Sequence, residues 1–233
     1  MKRFYDTVEI EQKEKGWQVT LDGRGLKTVK GANQIVPTEA LARALAAEWS
    51  DQDETLDTSK FVARDMADYT LDVIAKDRKG AAAKLVAYGD TDTLLYRADP
   101  DEPLYARQQE VWEPIVTAFE EREGVEMVRV SGIVHRDQDK AALAKLQGRL
   151  AALDPFALTA TEMMTSLAAS LIIGLSAGEA GDEPQALDLW RAACLEEEWQ
   201  ADLWGRDHEA DQVREKRQSD FLAAHRFVRL ANA

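Results

Sequence analysis

The sequence predicts an α+β fold: a small antiparallel β-rich N-terminal domain over residues 1–65, carrying one helix, followed by a larger all-α C-terminal domain over residues 66–233. Three observations predict it. The first ~35 residues alternate apolar and polar around an Asp-Gly turn. A capped helical pattern opens at Thr38. From about Met66 onward, apolar residues recur mostly at helical spacing.

RFYDTVEI gives a first strand through Phe4, Val8 and Ile10, and WQVTL alternates from Trp17 to Leu21. Asp22-Gly23 is a hairpin turn signal, and Leu26 to Val29 reads as the returning strand. Thr38 caps a helix that carries Leu41, Ala42, Leu45, Ala46 and Trp49. DQDETLDTSK reads as a loop. Helices are expected near Ala67 to Lys76, near Ala81 to Ala87, and from Pro103 through Trp112 and Phe119. VEMVRVSGIV, residues 125–134, reads as a strand or extended connector. Helices resume over Asp139 to Leu153. Asp154-Pro155 then starts an apolar helix ending by Gly178, and Pro184 leads a long helix through Trp204, stopped by Gly205. Glu209 to Leu230 forms the last.

Composition excludes several function classes. Of 233 residues, 45% are hydrophobic and 31% charged, as in soluble globular chains. The formal net charge of −14 repels nucleic acid and anionic membranes. One cysteine, Cys194, leaves no disulfide framework and points to a reducing compartment. ALTATEMMTSLAASLIIGLSA is the longest apolar stretch, but Glu162 and its Ser and Thr residues make it a buried helix rather than a membrane span. A chain opening on MKRFYDTVEI, without secretory or transit character, suits a bacterial cytoplasm, or the mitochondrial matrix if processed.

No motif brings catalytic machinery. His135, His208 and His225 are far apart, without HxxxH or CxxC spacing, so no metal or cofactor is expected. The polar cluster from Asp207 to Asp211 reads as a solvated helix junction. GRGLKT lacks the GK[ST] of a phosphate loop and lies in a hairpin. Cys194 stands among acids, which oppose a thiolate, and fits as a small core residue.

The segment CLEEEWQADLWG, residues 194–205, raises the sharpest question. On one continuous helix at ~100° per residue, Ala193, Cys194, Ala201 and Trp204 share a stripe with Trp190, and Glu197 falls among them. Glu196 and Glu198 lie at its edges. A carboxylate on an apolar stripe must be paired, neutral or in a groove. An internal ion pair, for example with Arg191 or Arg206, a partner-binding acid and a catalytic acid are all compatible with the wheel.

The motifs accumulate in order. RFYDTVEI, GWQVTLDGRGLKT, EWSDQDETL, DTDTLLYRA, RQQEVWEPI and LEEEWQADLWGRDHEA together resemble the ATP-twelve family, assembly chaperones of the F-type ATP synthase catalytic head. Val29, where the family commonly has Pro, and FVARD, residues 61–65, depart from its pattern in local loops. The resemblance implies a non-catalytic assembly factor. It would bind the unassembled alpha subunit as a transient client, shield its interface, and hand it to the beta subunit. The chain is expected to act as a monomer, without nucleic acid, membrane insertion or cofactor. It places partner binding at Glu197, with Glu196 second. Trp199, Gln200 and Trp204 serve mainly as support. Glu48 and Gln52 form a further candidate pair beside Trp49, and Arg107 and Trp112 are expected to be structural. The competing reading from another class is a hydrolase using a carboxylate pair around Glu197.

Overall fold

The computed structural model describes residues 1–132 and 135–233. The chain forms two compact units. One takes residues 1–78, 154–160 and 223–233, and the other takes 79–153 and 161–222.

In the first unit, β1 (Val8–Lys13) and β2 (Gly16–Leu21) pair antiparallel over their full length. The other edge of β2 is shared by β3 (Arg24–Gly25) and β4 (Ile35–Val36), both antiparallel. The β2–β3 turn is the Asp22-Gly23 pair read from the sequence. Both residues have positive φ, 48° and 74°, as a two-residue hairpin turn requires. Asp22 Oδ1 fixes this bend by accepting from Thr7 N at 2.8 Å and Asp6 N at 3.0 Å.

The returning strand is shorter than the expected Leu26 to Val29. Beyond Gly25 only Lys27 makes a bridge, to Asn33. The chain is drawn instead towards Asp72, whose buried carboxylate accepts from Thr28 Oγ1 at 2.9 Å and Lys30 N at 3.0 Å.

Helix α1 (Glu39–Ser50) starts at Thr38, whose hydroxyl accepts from Leu41 N. It buries Leu41, Ala42, Leu45 and Trp49 towards β1 and β2. Its spacing follows the expected apolar stripe. Helix α2 (Val62–Tyr69) begins five residues before the expected Ala67. Phe61, just before it, offers no side-chain acceptor. Glu48 of α1 supplies one instead, accepting from Ala63 N at 2.6 Å and Arg64 N at 2.9 Å. Past Tyr69 the helix widens into a π turn, Thr70–Ile74. The Thr70 hydroxyl, fully buried, bonds Met66 O and Thr159 Oγ1, both at 2.7 Å.

In the second unit, α3 (Arg78–Leu85) leads to a 3-10 turn at Thr93–Leu95 and the short β5 (Tyr96–Arg97). Helix α4 (Pro103–Glu123) is capped at its end by left-handed Gly124. Of the expected extended segment 125–134, only β6 (Val130–Ser131) is a strand, parallel to β5. Ile133 and Val134 lie outside the described residues. Side chains take the backbone donors a longer strand would use: Glu120 accepts from Met127 N at 2.6 Å, and Gln138 from Val128 N at 2.8 Å. Helix α5 (Lys140–Ala152), capped by Asp139, follows.

Two expected long helices are each broken. The apolar one is α6 (Pro155–Ala168) and α7 (Leu171–Glu179), separated by left-handed Ala169 (φ 48°) and by Ser170, whose hydroxyl caps α7. The cause is Asp92, fully buried, which accepts from Ile172 N at 2.9 Å, Ser170 Oγ at 2.7 Å and Leu94 N at 3.0 Å. A carboxylate so placed demands a helix N-terminus at residue 171. Gly174 then lets α7 cross the end of α6, where a Cβ would meet Thr165 N at 2.9 Å. The second break divides α8 (Glu183–Ala193) from α9 (Leu195–Trp204) at Cys194 (φ −86°, ψ 5°). Helix α10 (His208–Ala231) closes the chain. No helix among the described residues is long and apolar enough to cross a membrane.

Burial pushes the Asp92 carboxyl up to about 6, outweighing the hydrogen bonds from Ile172, Ser170, Leu94 and Leu171. Between its ordinary value of 3.8 and about 6, the folded chain therefore holds more protons than the unfolded one. Its contribution is fully present below that window and is lost as pH rises through it, by roughly 3 kcal/mol at most. The stability of the wild type relative to Asp92→Asn, read from denaturant midpoints, should therefore decline as pH rises across this range. Glu48→Ala should lower stability by about 1–2 kcal/mol, the usual cost of removing a helix N-terminal acceptor. Chemical denaturation reads it directly.

Candidate functional site

The acidic run of α9 is built from three unlike carboxylates. Glu196 is half-buried and faces α4, where Gln108 Nε2 donates to it at 2.6 Å. Burial holds its carboxyl above the usual range, against the lowering effect of that bond. Gln108 is itself fully buried, and its Oε1 accepts from Ala98 N at 2.8 Å. One amide thus wires Ala98, α4 and α9 together. Three of the sequence motifs meet at this point.

Glu197 is paired internally, with an arginine other than the two suggested by the sequence. Arg217 Nη1 of α10 reaches both of its oxygens, at 2.9 and 3.1 Å. Arg217 Nη2 also donates to Leu167 O at 3.0 Å, and its guanidinium stands 5.4 Å from the centroid of the Trp190 ring. The Glu197 side chain remains 44% exposed. Arg191 pairs with Asp188, and Arg206 with Glu198 at 2.7 Å and Asp202 at 3.4 Å. Arg214, bound to Asp211, also approaches Glu198 at 3.6 Å.

The single continuous wheel does not survive the break at Cys194, because residues 195–204 start a new helix. Its apolar stripe fails accordingly. Trp204, expected as support, is 81% exposed, and Leu203 beside it is 63% exposed. Val213 on α10 is exposed as well. Trp199 is partly buried and Gln200 exposed.

The other candidates serve the fold. Glu48 holds the start of α2. Gln52 is buried, donates to Glu48 O at 3.1 Å and accepts from Asp57 N at 2.7 Å. Trp112 is buried and donates to Ala192 O at 2.7 Å, while Arg107 pairs with Glu110 on the surface. Cys194 is a buried core residue. Burial, followed by the charge of Glu197, pushes its thiol up to about 12, so it is no nucleophile at neutral pH.

A hydrolase's carboxylate pair around Glu197 finds no support among the described residues. The three glutamates diverge to Gln108, Arg217 and Arg206. Arg217 and Gln108 are the two partners that sequence reasoning missed. Gln108 lies within RQQEVWEPI, one of the family-like motifs, but nothing in REKRQSD distinguishes Arg217 from its neighbours. A separate group able to hold a cation is formed by Asp90, His135 and Asp137.

Comparison with known proteins places the chain. A family model for the ATP12 chaperone protein matches residues 2–120. The mitochondrial protein atp12 of Schizosaccharomyces pombe is 25% identical over 230 residues, spanning 91% of this chain and 76% of that protein. The crystal structure of Atp12 from Paracoccus denitrificans superposes with a TM-score of 0.90 at 36% identity, covering 99% of this chain and 98% of that one. The Atu1473 protein of Agrobacterium tumefaciens gives 0.89 at 34% identity, over 98% of this chain and 85% of its own. With the motifs in order, the match over half the chain and a fold shared nearly end to end, this chain belongs to the ATP12 chaperone family.

Proposed function

We propose that this protein is a non-catalytic assembly chaperone that holds the unassembled alpha subunit of the F-type ATP synthase until the beta subunit replaces it. Family membership supports the assembly role. The observation that carries the client-binding reading is the end of α9, where Trp204 and Leu203 stand in solvent beside an acidic, arginine-laced helix end. Tryptophan is a residue type enriched in binding hot spots, and the leucine beside it extends the exposed apolar surface. An unassembled ring subunit exposes a large interface, and covering it prevents aggregation.

Glu197 suits a reversible grip. Its carboxylate is already satisfied by Arg217, so a cation from the client must exchange with that arginine instead of filling an empty site. The net electrostatic gain of such an exchange is small. Affinity then rests on the apolar contact, and the charge supplies discrimination. Partner binding is assigned to Glu197 and Trp204 first. Glu196 holds the helix to Gln108. Trp199 and Gln200 flank the surface, and Glu48 and Gln52 act through the fold.

Capture of newly made alpha subunit by the wild type, Glu197→Gln and Trp204→Ala tests this. Wild type should retain alpha and not beta. Trp204→Ala should weaken capture at least tenfold, about 1.4 kcal/mol or more. Glu197→Gln should weaken it with less than about 1 kcal/mol lost from stability, because the Arg217 pair is partly exposed. Absence of alpha from the wild-type capture would sink the assignment. Undiminished capture by both variants would move the client surface elsewhere on the molecule.

A further inference from the structure

Asp90, His135 and Asp137 bring three metal-ligand atoms together, all within 4.8 Å of one another. His135 Nε2 lies 3.1 Å from Asp137 Oδ1 and 3.6 Å from Asp90 Oδ2. Ligand atoms bound to zinc at ~2.0–2.1 Å in tetrahedral geometry stand about 3.4 Å apart. The two measured edges bracket that length.

The remaining atoms of these groups are already engaged in ways that aim the ligands. Asp90 Oδ1 accepts from Gln138 N at 3.0 Å, which turns Oδ2 towards the histidine. Gln138 is buried and anchored, its amide bonding both Val128 N at 2.8 Å and Val128 O at 2.9 Å. The Tyr96 hydroxyl lies 2.6 Å from His135 Nδ1 and so orients the ring with Nε2 facing the carboxylates. Outer partners of this kind are what fixed metal ligands have. His135 is the partner that both carboxylates share, besides the Gln138 N–H on Asp90. Among the described residues, neither carboxylate pairs with a lysine or arginine, although most acids around Glu113, Glu120 and Glu198 do.

We propose that Asp90, His135 and Asp137 form a binding site for a first-row divalent cation, of which zinc fits best. One imidazole and two carboxylates suit such an ion better than calcium, which prefers oxygen ligands alone. The bound imidazole is neutral, so Nδ1 carries the proton and donates to the Tyr96 oxygen. Three protein ligands leave a coordination position for water. The ion clips residues 135–138 to the turn that carries Asp90, two residues before Asp92. Spacing along the chain could not reveal the site, because Asp90 comes from a segment far from His135 in sequence.

Titration calorimetry of the metal-free full chain with zinc chloride tests it, together with visible spectra of the cobalt-substituted protein. A single zinc should bind with a micromolar dissociation constant and raise the thermal midpoint. Cobalt should give the intense visible bands of a tetrahedral or five-coordinate ion, without thiolate charge transfer, since Cys194 is buried and not a thiolate. His135→Gln and Asp137→Asn should each weaken zinc binding at least tenfold and remove the cobalt bands. His208→Gln, an exposed histidine away from the cluster, should change neither. Midpoints of the metal-free variants equal to wild type separate loss of the site from loss of the fold. Failure of the wild type to bind zinc, or binding that His135→Gln leaves unchanged, overturns the proposal. The test is independent of the client and of Glu197.

Discussion

The second unit is organised around one buried carboxylate. Asp92 has no exposed surface, and a charge there is tolerated only because donors surround it. Those donors are the backbone of its own 3-10 turn at Leu94, the Ser170 hydroxyl and the first N–H groups of α7. The demand breaks an otherwise continuous apolar stretch and fixes where α7 begins. Helix α7 packs on α4 and α8, and α8 runs into α9 through Cys194. The position of Glu197 and Trp204 therefore depends on a residue in DTDTLLYRA, far from them along the chain. Gly174 is part of the same constraint, since any side chain there would collide with Thr165.

The fold class, the hairpin turn and the cap at Thr38 were legible because each is a local property. A turn needs only Asp22 and Gly23, and a cap only a residue and the amides that follow it. The breaks at Ala169–Ser170 and at Cys194 were not legible. Periodicity continues smoothly across both, and their causes are tertiary. Asp92 supplies the first. For the second, Trp112 donating to Ala192 O and Gln108 donating to Glu196 hold the helices on either side of Cys194 against α4. The candidate site suffered most from this. The wheel put Glu197 and Trp204 on one packed stripe with Trp190 and Cys194, whereas the new helix leaves the Trp204 indole in solvent and Glu197 partly exposed. The internal partner of Glu197 was expected among near neighbours, whereas Arg217 comes from the following helix.

The acids of the family-like motifs divide by the kind of donor they meet. Glu48 and Asp92 accept from backbone N–H groups at helix starts. Those donors cannot leave without unravelling a turn, so the carboxylates are fixed parts of the fold. Glu196 meets a buried amide, Gln108, and is held almost as firmly. Glu197 and Glu198 meet guanidinium groups across partly exposed ion pairs, which the carboxylates can leave at little cost. Only the last class can trade an internal partner for an external one without loss of structure.

That distinction places Glu197, with Glu198, among the exchangeable acids of a chain carrying 43 acidic residues. Abundance made each carboxylate uninformative by itself, and helix position alone left three readings open. The geometry narrows them. Arg217 is tethered independently, through Leu167 O and the face of Trp190, so it keeps its place when Glu197 turns outward. A tethered arginine beside a mobile carboxylate is a resting partner. Under the proposed client-binding role, it would neutralise the acid in the free protein and leave only one partly exposed ion pair to be exchanged. Trp204 and Leu203 need no such partner, because apolar surface waits in water without a counter-charge. Contact with an apolar patch that also bears a cation would therefore draw on both features at once, and a patch lacking the cation would leave Glu197 with Arg217.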